Sequence, residues 1–199
     1  MPAVTPSELP RRNTGGSLAC FRAAAFAVAL VLVATLACAD TVPVKSAEIR
    51  PDEDAYVLNA EFDLALNPTL EEALQKGVPL YFELEFELVR PRKYWFDEKV
   101  LSSSTQYRVS YNALTRQYRL GLGSLFQNFA SLSETLDFLS RVRRRQVLEP
   151  GTLTKGTTYM AGVRMRLDVS QLPKPFQLNA LASRDWNFGS EWHRWSVTP

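Results

Sequence analysis

Tyr81-Phe82-Glu83-Leu84-Glu85-Phe86-Glu87-Leu88 decides the fold, because apolar and acidic side chains alternate through it without a break. A period of two places Phe82, Leu84, Phe86 and Leu88 on one face and Glu83, Glu85 and Glu87 on the other, which is the signature of a half-buried β-strand. The same pattern recurs outward from this stretch. Before it, Leu58, Ala60, Phe62, Leu64 and Leu66 share a face. After it come Tyr107, Val109 and Tyr111, then Tyr118, Leu120 and Leu122, with Asn112 to Arg116 as a hairpin connection. The longest run is Tyr159, Ala161, Val163, Met165, Leu167 and Val169, whose opposite face carries Arg164, Arg166 and Asp168. If that strand lies beside the Glu83–Glu87 strand, the arginine and glutamate stripes pair across it.

Two short helices are expected among the strands. Asn67 caps the first, which runs from Pro68 to Lys76 and stops at Gly77. Ser131-Leu132-Ser133-Glu134 reads as a capping box for the second, with Leu132, Leu136, Leu139 and Val142 on one stripe and Arg141, Arg143, Arg144 and Arg145 at its positive-favouring end. Arg90-Pro91-Arg92, Glu149-Pro150-Gly151 and Leu172-Pro173-Lys174-Pro175 read as loops or edges, since proline cannot donate to a ladder. Six to nine strands with such turns predict a mainly β fold: an antiparallel β-sandwich or open barrel carrying two short α-helices.

The beginning of the chain has a different character. Arg11 and Arg12 precede an apolar run from Ala23 to Ala37, 15 residues without a charge, which is short of the roughly 20 that span a bilayer. Ala37 and Ala39 fit a cleavage site, so residues 1–39 read as a signal peptide and 40–199 as a single β-rich domain, periplasmic or secreted. The competing readings are an uncleaved inner-membrane anchor and a lipid-modified Cys38, the latter opposed by Thr35 where a lipoprotein signal carries Leu. Loss of residues 1–39 removes Arg11, Arg12, Arg22 and Glu8 from totals of 23 basic and 21 acidic residues, leaving twenty of each. A near-neutral domain gives nucleic acid no electrostatic hold. Cys20 and Cys38 both leave with the signal, so core packing alone must hold the domain.

Motifs of chemistry are incomplete. His193 is the only histidine, which removes any two-histidine metal site within one chain, and no G-x-S-x-G elbow accompanies the serines. Gly151 to Thr158 has the glycine spacing of a phosphate loop but Thr157 where the lysine belongs, and Gly121-Leu122-Gly123 lacks the third glycine of a dinucleotide fingerprint. Asp52-Glu53-Asp54 lacks the alternating ligands of a calcium loop. No catalytic residue, cofactor or metal is therefore expected. Trp186, Trp192 and Trp195, with Arg143 and Arg144, remain as a candidate partner or ligand surface, the tryptophans against a core role, and the basic run Arg141 to Arg145 as candidate contacts for anionic lipid head groups or phosphates against a solvated helix end.

Val78 to Phe82, Arg90 to Trp95, Tyr111 to Leu120, Phe129 to Leu139 and, most closely, Arg166 to Trp186 with Trp192 and Trp195 resemble the proteobacterial envelope family catalogued as domain of unknown function 4390. The resemblance covers nearly all of the chain after the leader and carries no assigned catalytic or binding residue. It implies an exported protein of Gram-negative bacteria, encoded by genes often found beside a membrane sensor kinase. The expected function is thus a non-enzymatic envelope module that binds a partner protein, such as the sensing part of that kinase. The alternatives are a lipid or glycan held in a cleft between the sheets, and a hydrolase using carboxylates such as Glu83 or Asp97.

Overall fold

The structure, a computed structural model, describes residues 42–53, 55–94 and 96–199. The expected signal peptide and its cleavage site lie outside them. Among the described residues nine strands form two antiparallel sheets. The smaller contains β1 (Val44–Asp52), β2 (Ala55–Phe62) and β7 (Arg141–Leu148), in the order β1-β2-β7. The larger contains β3 (Leu80–Arg90), β4 (Glu98–Asn112), β5 (Gln117–Leu122), β6 (Leu125–Phe129), β8 (Tyr159–Leu167) and β9 (His193–Val197), in the order β6-β5-β4-β3-β8-β9. The helices are α1 (Pro68–Gln75), α2 (Leu132–Ser140) and α3 (Lys174–Ala182).

The alternation of β3 is realised residue by residue: Leu80, Phe82, Leu84, Phe86 and Leu88 are all buried. They meet Leu58, Ala60, Phe62 and Val142 of the smaller sheet in a common hydrophobic cluster. The opposite face of β3 pairs as expected with β8, Glu83 opposite Arg166 and Glu85 opposite Arg164. Arg166 reaches both Glu83 (2.5 Å) and Glu85 (3.1 Å), Arg164 binds Glu85, and Arg194 of β9 binds Glu87 at 3.0 Å. Burial is the largest single influence on Glu85 and opposes its ionisation. Hydrogen bonds from Arg164 and Arg166, with their charges, outweigh it and hold the carboxyl below its usual range.

Helix α1 follows its sequence signals. The Asn67 side chain accepts from the Leu70 amide at 3.0 Å, and Pro68 occupies the first turn. At the other end Gly77, with φ +86°, donates to Leu74 while Val78 donates to Ala73, a Schellman closure that requires the left-handed backbone glycine tolerates.

Three expectations are corrected. Helix α2 starts at its cap, with Ser131 Oγ accepting from the Glu134 amide, but it stops at Ser140. Arg141 is the C-cap of the helix and also the first residue of strand β7, on which Arg143, Arg144 and Arg145 lie instead of in a last helical turn. Arginine tolerates either state, and the edge of β2 captures this segment because Val142 and Leu148 bury against the core there. Second, Lys174–Ala182 is a helix where a proline loop was expected, which makes three α-helices among the described residues, not two. Pro175 falls in its first turn, the one helical place where a missing N–H is harmless. Third, β8 ends at Leu167, and Val169 opens a short 3-10 turn capped by the Asp168 side chain.

Candidate functional site

A groove of about 1070 Å³ opens between the sheets. Its cause lies in the strand count, because three strands cannot cover six, and the half of the large sheet around β4 and β5 is left partly unroofed. Leu101 and Tyr107 of β4 and Leu122 of β5 form one wall, and the whole length of β7 forms the other. The register places these side chains on the core-facing side: Leu101 is opposite Leu88, Tyr107 opposite Phe82, and Leu122 opposite Tyr107. Asp137, Phe138 and Leu139 of α2 line one part of the groove, and Glu149 and Thr152 of the β7–β8 connection another.

The positive charge of this site comes from β7, and Asp137 and Glu149 are the carboxylates on its lining. Arg144 is held by Asp52, to which it donates at 2.7 Å, while its amide donates to Asn59 Oδ1 at 2.9 Å. Its φ of +46° marks a bulge where Arg143 and Arg144 together stand against Asn59. A second register shift follows near Val147. Arg145 reaches across to the large sheet and donates to Thr105 Oγ1 at 2.7 Å. Arg141, Arg143 and Arg145 form no salt bridge with a carboxylate among the described residues, although Glu61 stands opposite Arg141 on β2 and Asp137 and Glu149 lie on the same groove, whose lining mixes apolar and polar side chains. Burial pushes the Tyr107 phenol above its ordinary range, against the opposing charge of Arg145.

The tryptophans, weighed as a surface against a core role, are not brought together. Trp186 is 5% exposed, its ring packed on Phe176 at 5.8 Å, and it belongs to the core. Trp195 points inward from β9 opposite Ala161, partly buried beside His193. Trp192 lies on the outer face of the large sheet, stacked between Arg164 (4.6 Å) and Arg194 (5.5 Å). Of the five residues singled out from sequence, Arg143 and Arg144 line the groove, and only Arg143 is free of a carboxylate partner there. Arg145 belongs to the basic run that the sequence offered for anions, whereas Leu101, Tyr107 and Leu122 were not singled out. The pairings that place them on one groove are long-range, and the alternation around Tyr107 and Leu122 marks an inward face without telling whether it is roofed. Asp52 and Glu53 sit at the β1–β2 turn, and Asp54 lies outside the described residues. Among the described residues no helix is long and apolar enough to cross a membrane.

A family model described as a domain of unknown function (DUF4390) matches residues 39–196. The chain belongs to that family. No protein of curated function and no solved structure matches it significantly. Membership accordingly carries no residue role with it, and the groove is read on its chemistry alone.

Proposed function

We propose that this family member is an exported binding module of the cell envelope whose inter-sheet groove holds an amphiphile with an anionic head, an acyl chain bearing a carboxylate or phosphate. The observation that carries this reading is the presence of Arg141, Arg143 and Arg145, which form no salt bridge among the described residues, on a groove whose walls also carry Leu101, Leu122, Val142 and Leu148. Small-molecule sites combine apolar walls with polar groups that fix orientation, and the volume lies just above their usual range of about 300–1,000 Å³. Arginine supplies charge-assisted bonds to either head group.

The same geometry favours an amphiphile over a partner protein added as a strand. Two register shifts and a run of arginines blunt the open edge of β7, the devices by which edges resist further pairing. An envelope location rests on the sequence of residues 1–39.

Titration of the purified chain with a dansylated fatty acid tests the proposal. Saturable fluorescence enhancement is expected. Arg141→Glu with Arg143→Glu should weaken it about tenfold or more, since a hydrogen bond to a charged group is worth about 1.5–3 kcal/mol. Leu122→Trp, which fills the groove, should abolish it while thermal unfolding stays cooperative. Undiminished binding in both variants would contradict the proposal.

A further inference from the structure

At the end of the large sheet the connection between β3 and β4 projects two aromatic side chains almost fully into solvent, Tyr94 at 90% and Phe96 at 88% exposure. An exposed aromatic residue alone needs no explanation, but two in one connection are unusual for a chain whose other large aromatic side chains mostly serve the core. Their setting is basic. Between Arg90 and Lys99 stand four cations and two carboxylates. Arg90 and Arg92 converge on the single carboxylate of Glu98, Arg92 at 2.6 Å, so the pair keeps a surplus positive charge. Those hydrogen bonds, from Arg92 first and then Arg90, hold Glu98 below the usual carboxylate range, so it stays ionised and keeps both guanidiniums at the base of the tip. Asp97 accepts from the Arg92 amide at 3.3 Å, which closes the turn. Lys93, next to Tyr94, forms no ion pair among the described residues.

We infer that this tip, with Lys93, Tyr94 and Phe96, is a docking point for an anionic bilayer surface. Tyrosine settles at the head-group level of a membrane, the wholly apolar ring of phenylalanine gains by entering the acyl boundary beneath it, and cations beside them are drawn to anionic lipid. The surplus positive charge around these rings matches an anionic lipid surface. Position adds a second argument. Leu101, which lines the groove, lies three residues into β4 from Glu98, about 10 Å along the strand. The start of β8 lies at the same end, Met160 standing opposite Val89, so the β7–β8 connection that carries Glu149 and Thr152 leads there too. A tip seated on a membrane would therefore bring one end of the groove close to its surface. Docking itself does not depend on the groove being occupied.

Hydrogen exchange read by mass spectrometry on the full-length chain separates this contact from any attachment made elsewhere in the molecule. The probes are vesicles of phosphatidylcholine alone and of phosphatidylcholine with phosphatidylglycerol in equal parts. Slowed exchange of the 92–97 amides with the anionic vesicles, reversed by high salt and absent with the neutral ones, is expected. Lys93→Gln, a surface change that leaves the fold alone, should weaken the effect roughly fivefold, the factor for one near-surface charge. Tyr94→Ser with Phe96→Ser should remove it at the tip. Unchanged exchange at residues 92–97 would overturn the inference, whether or not the chain sediments with the vesicles. Loss of fatty-acid binding in the groove variants with tip protection retained would leave docking standing and implicate the groove alone.

Discussion

Gly189 shows how closely single positions are specified. Its amide segment crosses β8, with the Gly189 carbonyl accepting from Val42 and a bridge to Arg166. A Cβ there would lie 2.9 Å from Arg166 Cβ and 3.0 Å from the Met165 carbonyl oxygen, so backbone would have to move. Gly189→Ala is expected to destabilise the fold by about 1–3 kcal/mol, the usual range for overpacking, measured as a lower urea midpoint with an unchanged slope. A variant as stable as the parent would show that this crossing is looser than the geometry states. Gly162 answers a milder constraint, since its missing side chain leaves room for Trp192, whose Cε3 would be 3.2 Å from an added Cβ.

Among the elements, the β3–β8 ladder was the most legible, because its two stripes of opposite charge could be matched before any pairing was known. Glu85 also sets an expected pH dependence. A carboxyl with a depressed folded-state pKa contributes stability above its ordinary value of 4.5 and loses it as pH falls through the folded value. Urea stability should therefore be flat above about pH 5 and decline below 4.5, partly through this group. Glu85→Gln should lose about 1 kcal/mol at neutral pH and show a shallower acid decline. An unaltered acid slope would remove Glu85 from the explanation. Strand β7 and helix α3 were not legible, for opposite reasons. The arginines after Leu139 continue a helical register until β2 supplies an open edge. Leu178 and Leu181 of α3 remain 69% and 85% exposed, so this helix has almost no buried stripe by which periodicity could announce it.

At the scale of the whole molecule, the two sheets explain both the core and the groove. Alternation on β2, β3 and β8 foretold an inward face, and the cluster joining Phe62, Phe82 and Val163 realises it. What alternation could not convey is that strands divide three against six, which leaves Tyr107 and Leu122 facing a channel. Nor could the density of tryptophan near the C-terminus reveal that Trp186 and Trp192 serve opposite sides of the large sheet. The most direct measurement is paramagnetic broadening of the amide spectrum by a fatty acid spin-labelled on its chain. Binding in the groove predicts broadening concentrated at Leu101, Tyr107, Leu122 and Val142, with Trp192 on the far face unaffected. Broadening centred on Trp192, or spread evenly over the surface, would contradict it.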